Sequence, residues 1–456
     1  MTIQEVVNNQ RAFFNTGKTK DVYYRIHALK KLQNEIKKSE KDILAALKLD
    51  LNKSEFEGYM TEIGMVLDEI KYCIKHAESW AKPKSVLTPL AQFPAKSFVV
   101  SEPYGVVLIM SPWNYPFQLS IEPLIGAIVA GNCAIIKPSA YAKHTSEVIA
   151  KLIKRCFSED YVTVVQGGRQ ENSDLLKERF DYIFFTGGTE VGKLVMEAAA
   201  KYITPVSLEL GGKSPCIIDE TADIRLAAKR VAFGKFLNAG QTCVAPDYLF
   251  IQKSVKDKFV FYIKQYITEF FGDYPLCNEH LPKIINKKHF IRLMNLMENE
   301  EVLIGGKGDE DTEKIEPTLL DHITSESRIM QEEIFGPILP MMEFEKMDEV
   351  IDYIVRHEKP LACYLFSTNE KRINHFLKQV SFGGGCINDT IIHLATSNMG
   401  FGGVGMSGMG SYHGYESFRT FSHRKSIVKK ANWLDIPLRY HPYTDKKLKI
   451  IRKFLN

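Results

Sequence analysis

Three observations predict an α/β fold built on a doubly wound parallel sheet, with a second α/β unit after it and a small β segment attached. Short apolar runs alternate with helical patterns from Val106 to Tyr202, and apolar strands separated by helices are what a parallel sheet covered on both faces requires. A second alternation begins after Leu210-Gly-Gly. At 456 residues, 45% hydrophobic and 25% charged, the chain is too long for one compact core and has the balance of a folded, multidomain protein.

Taken in order, Ile3 to Trp80 predicts two or three helices, because Ile26, Leu29, Leu32 and Ile36 recur at helical spacing with lysines opposite. Pro83, Pro89, Pro94 and Pro103 then enclose the extended run Ser97-Phe-Val-Val, read as a short strand at an edge or interface. The sheet follows as strands Val106 to Met110, Ala134 to Lys137, Tyr161 to Val165 and Tyr182 to Thr186. Helices Leu119 to Val129, His144 to Phe157, a short one near Leu175, and Val191 to Tyr202 alternate with them. In the second unit, helix Ile224 to Phe236, strand Tyr248 to Ile251 and helix Val255 to Phe271 precede strands Ile338 to Met341 and Ala362 to Ser367 and a Gly-rich segment, Phe382 to Gly410. The strand-like Lys425 to Val428 is expected to pair with residues 97 to 100. The expected division is therefore a cofactor unit of residues 1–82 and 104–209, a catalytic unit of 210–418, and an oligomerisation segment of 83–103 with 419–456.

The formal charge of +4 is unevenly placed: residues 419 to 456 carry 11 Lys/Arg against 2 Asp/Glu, leaving the body mildly acidic. A solvated helix surface explains such a tail, and attraction to an anionic membrane or nucleic acid is the sharper alternative. Eight scattered cysteines with no C-x-x-C pair exclude zinc and a disulfide framework, so no metal is expected. The N-terminus lacks a basic segment followed by an apolar core, and Glu122, Pro123, Gly131 and Asn132 interrupt the most apolar stretch. Neither a signal peptide nor a membrane span is expected, which makes a cytoplasmic location the default.

Five motifs at predicted strand or helix ends carry chemistry. Ser111-Pro-Trp-Asn114-Tyr-Pro follows a buried-type strand, and the Asn114 amide can stabilise an oxyanion; the alternative is a Pro-rich turn with a capping Asn. Lys137-Pro-Ser139 sets a cation at the next strand end, where it suits a nucleotide unless it is a plain surface lysine. Phe185-Thr-Gly187-Gly188-Thr189-Glu-Val-Gly192 ends a strand and opens a helix, letting backbone N–H groups approach a pyrophosphate or serving as an ordinary Gly-containing cap. Leu208-Glu209-Leu-Gly-Gly212 sets a carboxylate among apolar neighbours, whose desolvation would raise its pKa toward that of a general base. Phe233-Gly-Lys-Phe-Leu-Asn-Ala-Gly240-Gln-Thr-Cys243 presents one cysteine after a Gly turn; taken alone, such a cysteine is a small buried hydrophobe.

Together, in this order, the five resemble the aldehyde dehydrogenase superfamily, over about Tyr23 to Ser426. Glu332-Glu333-Ile-Phe335-Gly-Pro and Ser381-Phe-Gly-Gly-Gly-Cys-Ile-Asn388 add two more signatures. Gly402-Gly-Val-Gly-Met-Ser-Gly-Met-Gly-Ser-Tyr-His413 and Thr420-Phe-Ser-His-Arg-Lys425 are similar to the class 3 branch, which includes dimeric enzymes for fatty and aromatic aldehydes. The resemblance implies a Rossmann-like cofactor domain, NAD or NADP as cofactor, and a homodimer that binds no nucleic acid. It implies Cys243 as nucleophile, Glu209 as the base that activates water, and Asn114 with the Cys243 backbone N–H as oxyanion holders. Glu333 is expected at the nicotinamide ribose, Lys137 at the adenine ribose and the turn of Gly187, Gly188, Thr189 and Gly192 at the pyrophosphate, with Trp113, Ser139, Leu210 and Phe335 as further cofactor contacts. Many NAD-preferring relatives have Glu where this chain has Ala140, so NADP is expected to be accepted alongside NAD. Trp113, Tyr115, Ile391, Ile392 and Phe401 suggest an apolar tunnel, or core. A CoA-acylating enzyme and a catalytically inactive relative are the alternatives; Glu209, commonly absent from the former, argues for hydrolysis. In the tail, Leu448, Ile451 and Leu455 share one helix face among cations, which suggests either a lid over the substrate mouth at an anionic membrane surface or a helix docked on the partner subunit.

Overall fold

The computed structural model describes residues 2–454, the side chain of Phe454 excepted. The first sheet has the strand order Gly408–Met409, Val206–Glu209, Tyr182–Thr186, Val106–Met110, Cys133–Lys137, Val162–Val164, parallel except for its first member. From the central Val106–Met110 strand the chain builds outward on one side through 133 and 162, then returns to the other side at 182. The order reverses between Val106–Met110 and Tyr182–Thr186, and the crevice at the carboxyl ends of such a pair is where open α/β sheets receive ligands. Both central strands are wholly buried, which explains their unbroken apolar sequences.

The second sheet runs Glu301–Ile304, Thr318–Asp321, Ile338–Phe344, Tyr248–Gln252, Pro215–Ile218, Ala362–Phe366, Gly384–Ile387, antiparallel only at its first pair. Nine strands among the described residues escape the sequence reading: the four-residue Val206–Glu209, Pro215–Ile218, Glu301–Ile304, Thr318–Asp321 and Gly384–Ile387, and the shorter Lys84–Val86, Gly308–Asp309, Lys314–Ile315 and Gly408–Met409. None exceeds four residues, too few for periodicity to register. The third sheet joins Lys84–Val86, Ala95–Pro103 and Ser422–Lys430 antiparallel, with Lys425 opposite Val100 and Val428 opposite Ser97. The expected pairing of 425–428 with 97–100 is in place.

One expectation needs correction. The opening segment holds four long helices, Ile3–Asn15, Val22–Lys38, Glu40–Leu51 and Gly64–Ala81, with the short Glu55–Gly58 and the π-helical Tyr59–Ile63 between the last two. Ser39 caps two helices with no break in the apolar pattern, and Asn52, at a φ of 56°, ends the third. Residues 408–421 reach back to the first sheet. Gly408–Met409 adds to the first sheet, the Phe421 carbonyl accepts a hydrogen bond from Asn132 Nδ2 at 2.9 Å, and the Phe421 ring packs on Tyr182 and Phe184. Among the described residues no helix is long and apolar enough to cross a membrane. The tail forms the helix Asp445–Phe454 with Leu448 about half exposed; Leu455 lies outside the described residues.

Candidate active site

The helix Ile224–Phe236 ends in a turn where Asn238, Ala239 and Gly240 all adopt left-handed backbone, φ 52°, 50° and 70°. At the two non-glycine positions this costs roughly 1 kcal/mol or more each, so local preference alone would not hold the turn. Hydrogen bonds hold it: Asn238 N donates to Glu57 Oε1 (2.9 Å) and its Nδ2 to the carbonyls of Asn114 (2.9 Å) and Gln241 (3.0 Å). Gln241 Nε2 donates to the carbonyls of Asn238 and Lys283. Gly240 is required, because a Cβ there would stand 2.2 Å from the Gly336 carbonyl oxygen. The turn delivers Cys243 to the wall shared by two cavities.

One cavity, of about 220 Å³, is almost wholly apolar, lined among others by Met60, Met65, Tyr115, Leu119, Phe233, Ile391, Ile392 and Phe401. The other, about 380 Å³, is lined by Asn114, Gly187, Gly188, Glu209, Leu210, Glu333 and Phe335. Tyr115, Ile391, Ile392 and Phe401 thus form the channel wall, whereas Trp113 faces the second cavity, edge-on to Phe335 with ring centroids 5.4 Å apart. Among the described residues, none beyond His413 lines the channel.

Asn114 is buried, and its Nδ2 spends one N–H on the Gln241 carbonyl at 3.0 Å; an amide nitrogen has two, which leaves one for an oxyanion. Burial, then the nearby Glu333 and Glu209 carboxyls, push the Cys243 thiol up to about 12, while the backbone N–H groups of Cys243 and Val244 pull the other way. Glu209 ends the strand Val206–Glu209, 3% exposed, and neither carboxyl oxygen has a hydrogen-bond partner. Burial alone lifts its pKa well above the usual carboxylate range. The Glu333 carboxyl is raised to about 8, first by burial and then by Asp247, against a Gly212 N–H that favours the anion. It lies where a side chain on Gly211 would be: a Cβ there would fall 2.0 Å from Glu333 Oε2.

Lys137 is no surface lysine. It is 3% exposed, and its ammonium donates to the carbonyls of Gly167 (2.7 Å) and Pro138 (2.9 Å), with a third N–H to spare. Ser139 is half-buried beside it, its Oγ accepting from Tyr141 N at 3.3 Å. Gly188 caps the helix Thr189–Ala200, with open space where a Cβ would be. The glycine motif divides: Gly187 and Gly188 line the cavity, Thr189 borders an adjoining cleft with Gly211 and Gly212, and Gly192 is a packing glycine whose Cβ would strike Leu210 at 2.7 Å. These features fit a dinucleotide laid across the sheet end, its phosphates at the helix N-terminus and a ribose at Lys137.

Sequence reasoning missed the charged network behind the site. Lys53 and Glu62 form a fully buried ion pair at 2.6 Å, and Glu57 holds the Asn238 turn. In sequence these are ordinary helix charges with no signal. Asn238 and Gln241 adjoin Cys243 in its own motif and were open to the same reading.

The Aldehyde dehydrogenase family model matches residues 1–427. The chain is 50% identical over 454 residues, 99% of each chain, to the 4,4'-diaponeurosporen-aldehyde dehydrogenase of Staphylococcus aureus. It is 45% identical to the dimeric NADP-preferring aldehyde dehydrogenase of Canis lupus familiaris, over 96% of this chain and 98% of that one. A solved structure of Staphylococcus aureus AldH in its substrate-bound state superimposes with a TM-score of 0.98 at 49% identity, covering both chains fully.

Proposed function

The chain belongs to the aldehyde dehydrogenase family and is an NAD(P)-dependent aldehyde dehydrogenase; we propose that it takes medium- or long-chain aliphatic or aromatic aldehydes through a thioester on Cys243 that water, activated by Glu209, resolves. The observation that carries this reading is the position of Cys243 on the wall between an apolar channel and a polar cavity holding Glu209 and Glu333.

An aldehyde threaded along the channel meets the Cys243 sulfur. Cys243 gives its proton to water in the cavity, the thiolate sulfur bonds the carbonyl carbon as the C=O π pair moves onto oxygen, and that oxyanion is held by the spare Asn114 N–H and the Cys243 backbone N–H. The second cavity, with Glu333 and Phe335 in its wall, would hold the nicotinamide, whose chemistry when bound is to take up the hydride released as the adduct becomes a thioester. Glu209, with no hydrogen bond to stabilise its anion, is a strong base when ionised; it takes a proton from water, the resulting hydroxide attacks the acyl carbon, and the acid leaves as the thiolate reforms. The pKa values of Cys243 and Glu209 are both raised, so the reactive forms gain population as pH rises, and turnover should climb with pH through the neutral range into the alkaline one.

NADH formation from hexanal by wild type, Cys243→Ser and Glu209→Gln, with and without CoA, tests the reading. Cys243→Ser should bind cofactor and turn over less than about one-hundredth as fast; a higher residual rate rejects the nucleophile. Glu209→Gln should give one burst of NADH and then stall. Dependence of turnover on CoA would transfer the protein to the acyl-CoA-forming class.

Three further assignments are proposed on the same basis. Val86, Leu87, Val428 and Trp433 are exposed on and beside the three-stranded sheet, which supports a homodimer formed there. Eight free cysteines support a reducing, cytoplasmic location, and the basic helix Asp445–Phe454 supports peripheral contact with anionic membranes.

A further inference from the structure

The turn carrying Asn114 is clamped at both ends by one buried ion pair that the mechanism above does not use. Lys53 Nζ lies 2.6 Å from Glu62 Oε1, and both side chains are fully buried. The same ammonium donates to the Asn114 carbonyl at 2.9 Å and sits 4.0 Å over the Tyr115 ring. The other carboxylate oxygen, Glu62 Oε2, accepts the backbone N–H of Phe117 (2.8 Å) and of Gln118 (3.1 Å). Glu62 belongs to the π-helical turn Tyr59–Ile63, whose Met60 and Thr61 line the apolar channel, and single π turns recur at functional sites.

Stability does not account for the pair. Taking two charges out of water costs about as much as their attraction returns, and apolar residues of similar volume usually pack as well. What apolar residues would not supply is the geometry: the carbonyl of residue 114, on the Lys53 ammonium, and the amides of 117 and 118, on the Glu62 carboxylate, are tied through a single ion pair. Asn114 Nδ2, on the far side of the same residue, then meets the Gln241 carbonyl.

We propose that Lys53 and Glu62 are positioning residues for Asn114, holding its side-chain amide where the oxyanion forms on Cys243, and that they act through acylation alone. This rests on the oxyanion role given to Asn114 above. The pair would be removed as the volume-matched double variant K53M/E62L, and single-turnover NADH formation from hexanal measured in that variant, in N114A and in the triple variant. NAD binding and the iodoacetamide alkylation rate of Cys243 would be measured in parallel.

The expected result is a fall in the acylation rate of roughly ten- to a hundredfold in K53M/E62L, with NAD affinity and alkylation near wild type. In the N114A background the same pair of substitutions should change the rate by less than about twofold, because partners in one interaction do not add. Wild-type acylation in a folded K53M/E62L protein overturns the proposal. So does an equal loss with and without Asn114, which would mark general loosening of the site. If K53M/E62L does not fold, E62Q keeps an acceptor for the 117–118 amides while removing the charge, and is read by the same two criteria. N114A acylating at the wild-type rate would instead overturn the oxyanion reading itself.

Discussion

Ala140 stands exposed three residues beyond Lys137, at the strand end assigned to the adenine ribose. A carboxylate at this position would accept bonds from ribose hydroxyls and repel a 2′-phosphate; a methyl group does neither. The chain should therefore use NADP as well as NAD, and kcat/KM for NAD more than about a thousandfold above that for NADP would contradict this. Ala140→Glu should lower kcat/KM for NADP on the order of tenfold, the scale of a partly screened charge repulsion, and leave that for NAD unchanged or improved. Steady-state kinetics with both cofactors at low ionic strength measures it. Equal effects on both cofactors would place residue 140 outside the phosphate's reach.

At the scale of elements, the tail helix Asp445–Phe454 poses the sharpest question. It carries Lys446, Lys447, Lys449, Arg452 and Lys453 on ten residues and lines no part of its own chain's channel. Deleting residues 444–456 should abolish pelleting with anionic vesicles and leave hexanal turnover intact, since each cation near such a surface contributes about 1 kcal/mol. Co-sedimentation and sedimentation velocity on the same sample read both properties. Loss of the dimer on truncation would show that the helix docks on the partner subunit; selective loss of hexadecanal turnover would show that it covers a mouth formed only in the dimer.

For the molecule as a whole, the buried imidazoles make a testable statement about acid stability. His413 is 4% exposed in the wall of the channel, and burial depresses it from 6.5 to about 4. A depressed histidine contributes stability that is present above its unfolded pKa and lost as pH falls toward the folded one. The protein should therefore lose on the order of 3 kcal/mol between pH 6.5 and 4 from this residue. His393, lowered to about 4 in the same way, acts in the same direction, whereas the raised carboxyls of Glu69 and Glu122 oppose both. Thermal melts of wild type and His413→Gln across this range isolate the histidine: the variant should lose less stability on acidification. Parallel curves would overturn the assignment.

What the sequence by itself determined is what depends on neighbours along the chain. The central strands, the helices after them, and the motifs at Asn114, Glu209, Gly187 and Cys243 were legible because period-2 and period-3.6 patterns and strand-end glycines are written in consecutive residues. The five four-residue strands and the split at Ser39 were not, being too short or too smoothly apolar to mark themselves. Only the tertiary structure decided which residues meet. Gly192 packs against Leu210, Trp113 leaves the channel for the second cavity, and residues 408–421 return to the first sheet. Lys53 and Glu62, in sequence two ordinary helix charges, become a fully buried pair beneath Asn114. Burial and pairing depend on segments separated by tens to hundreds of residues, and no local pattern records which distant surface will exclude water from a given side chain.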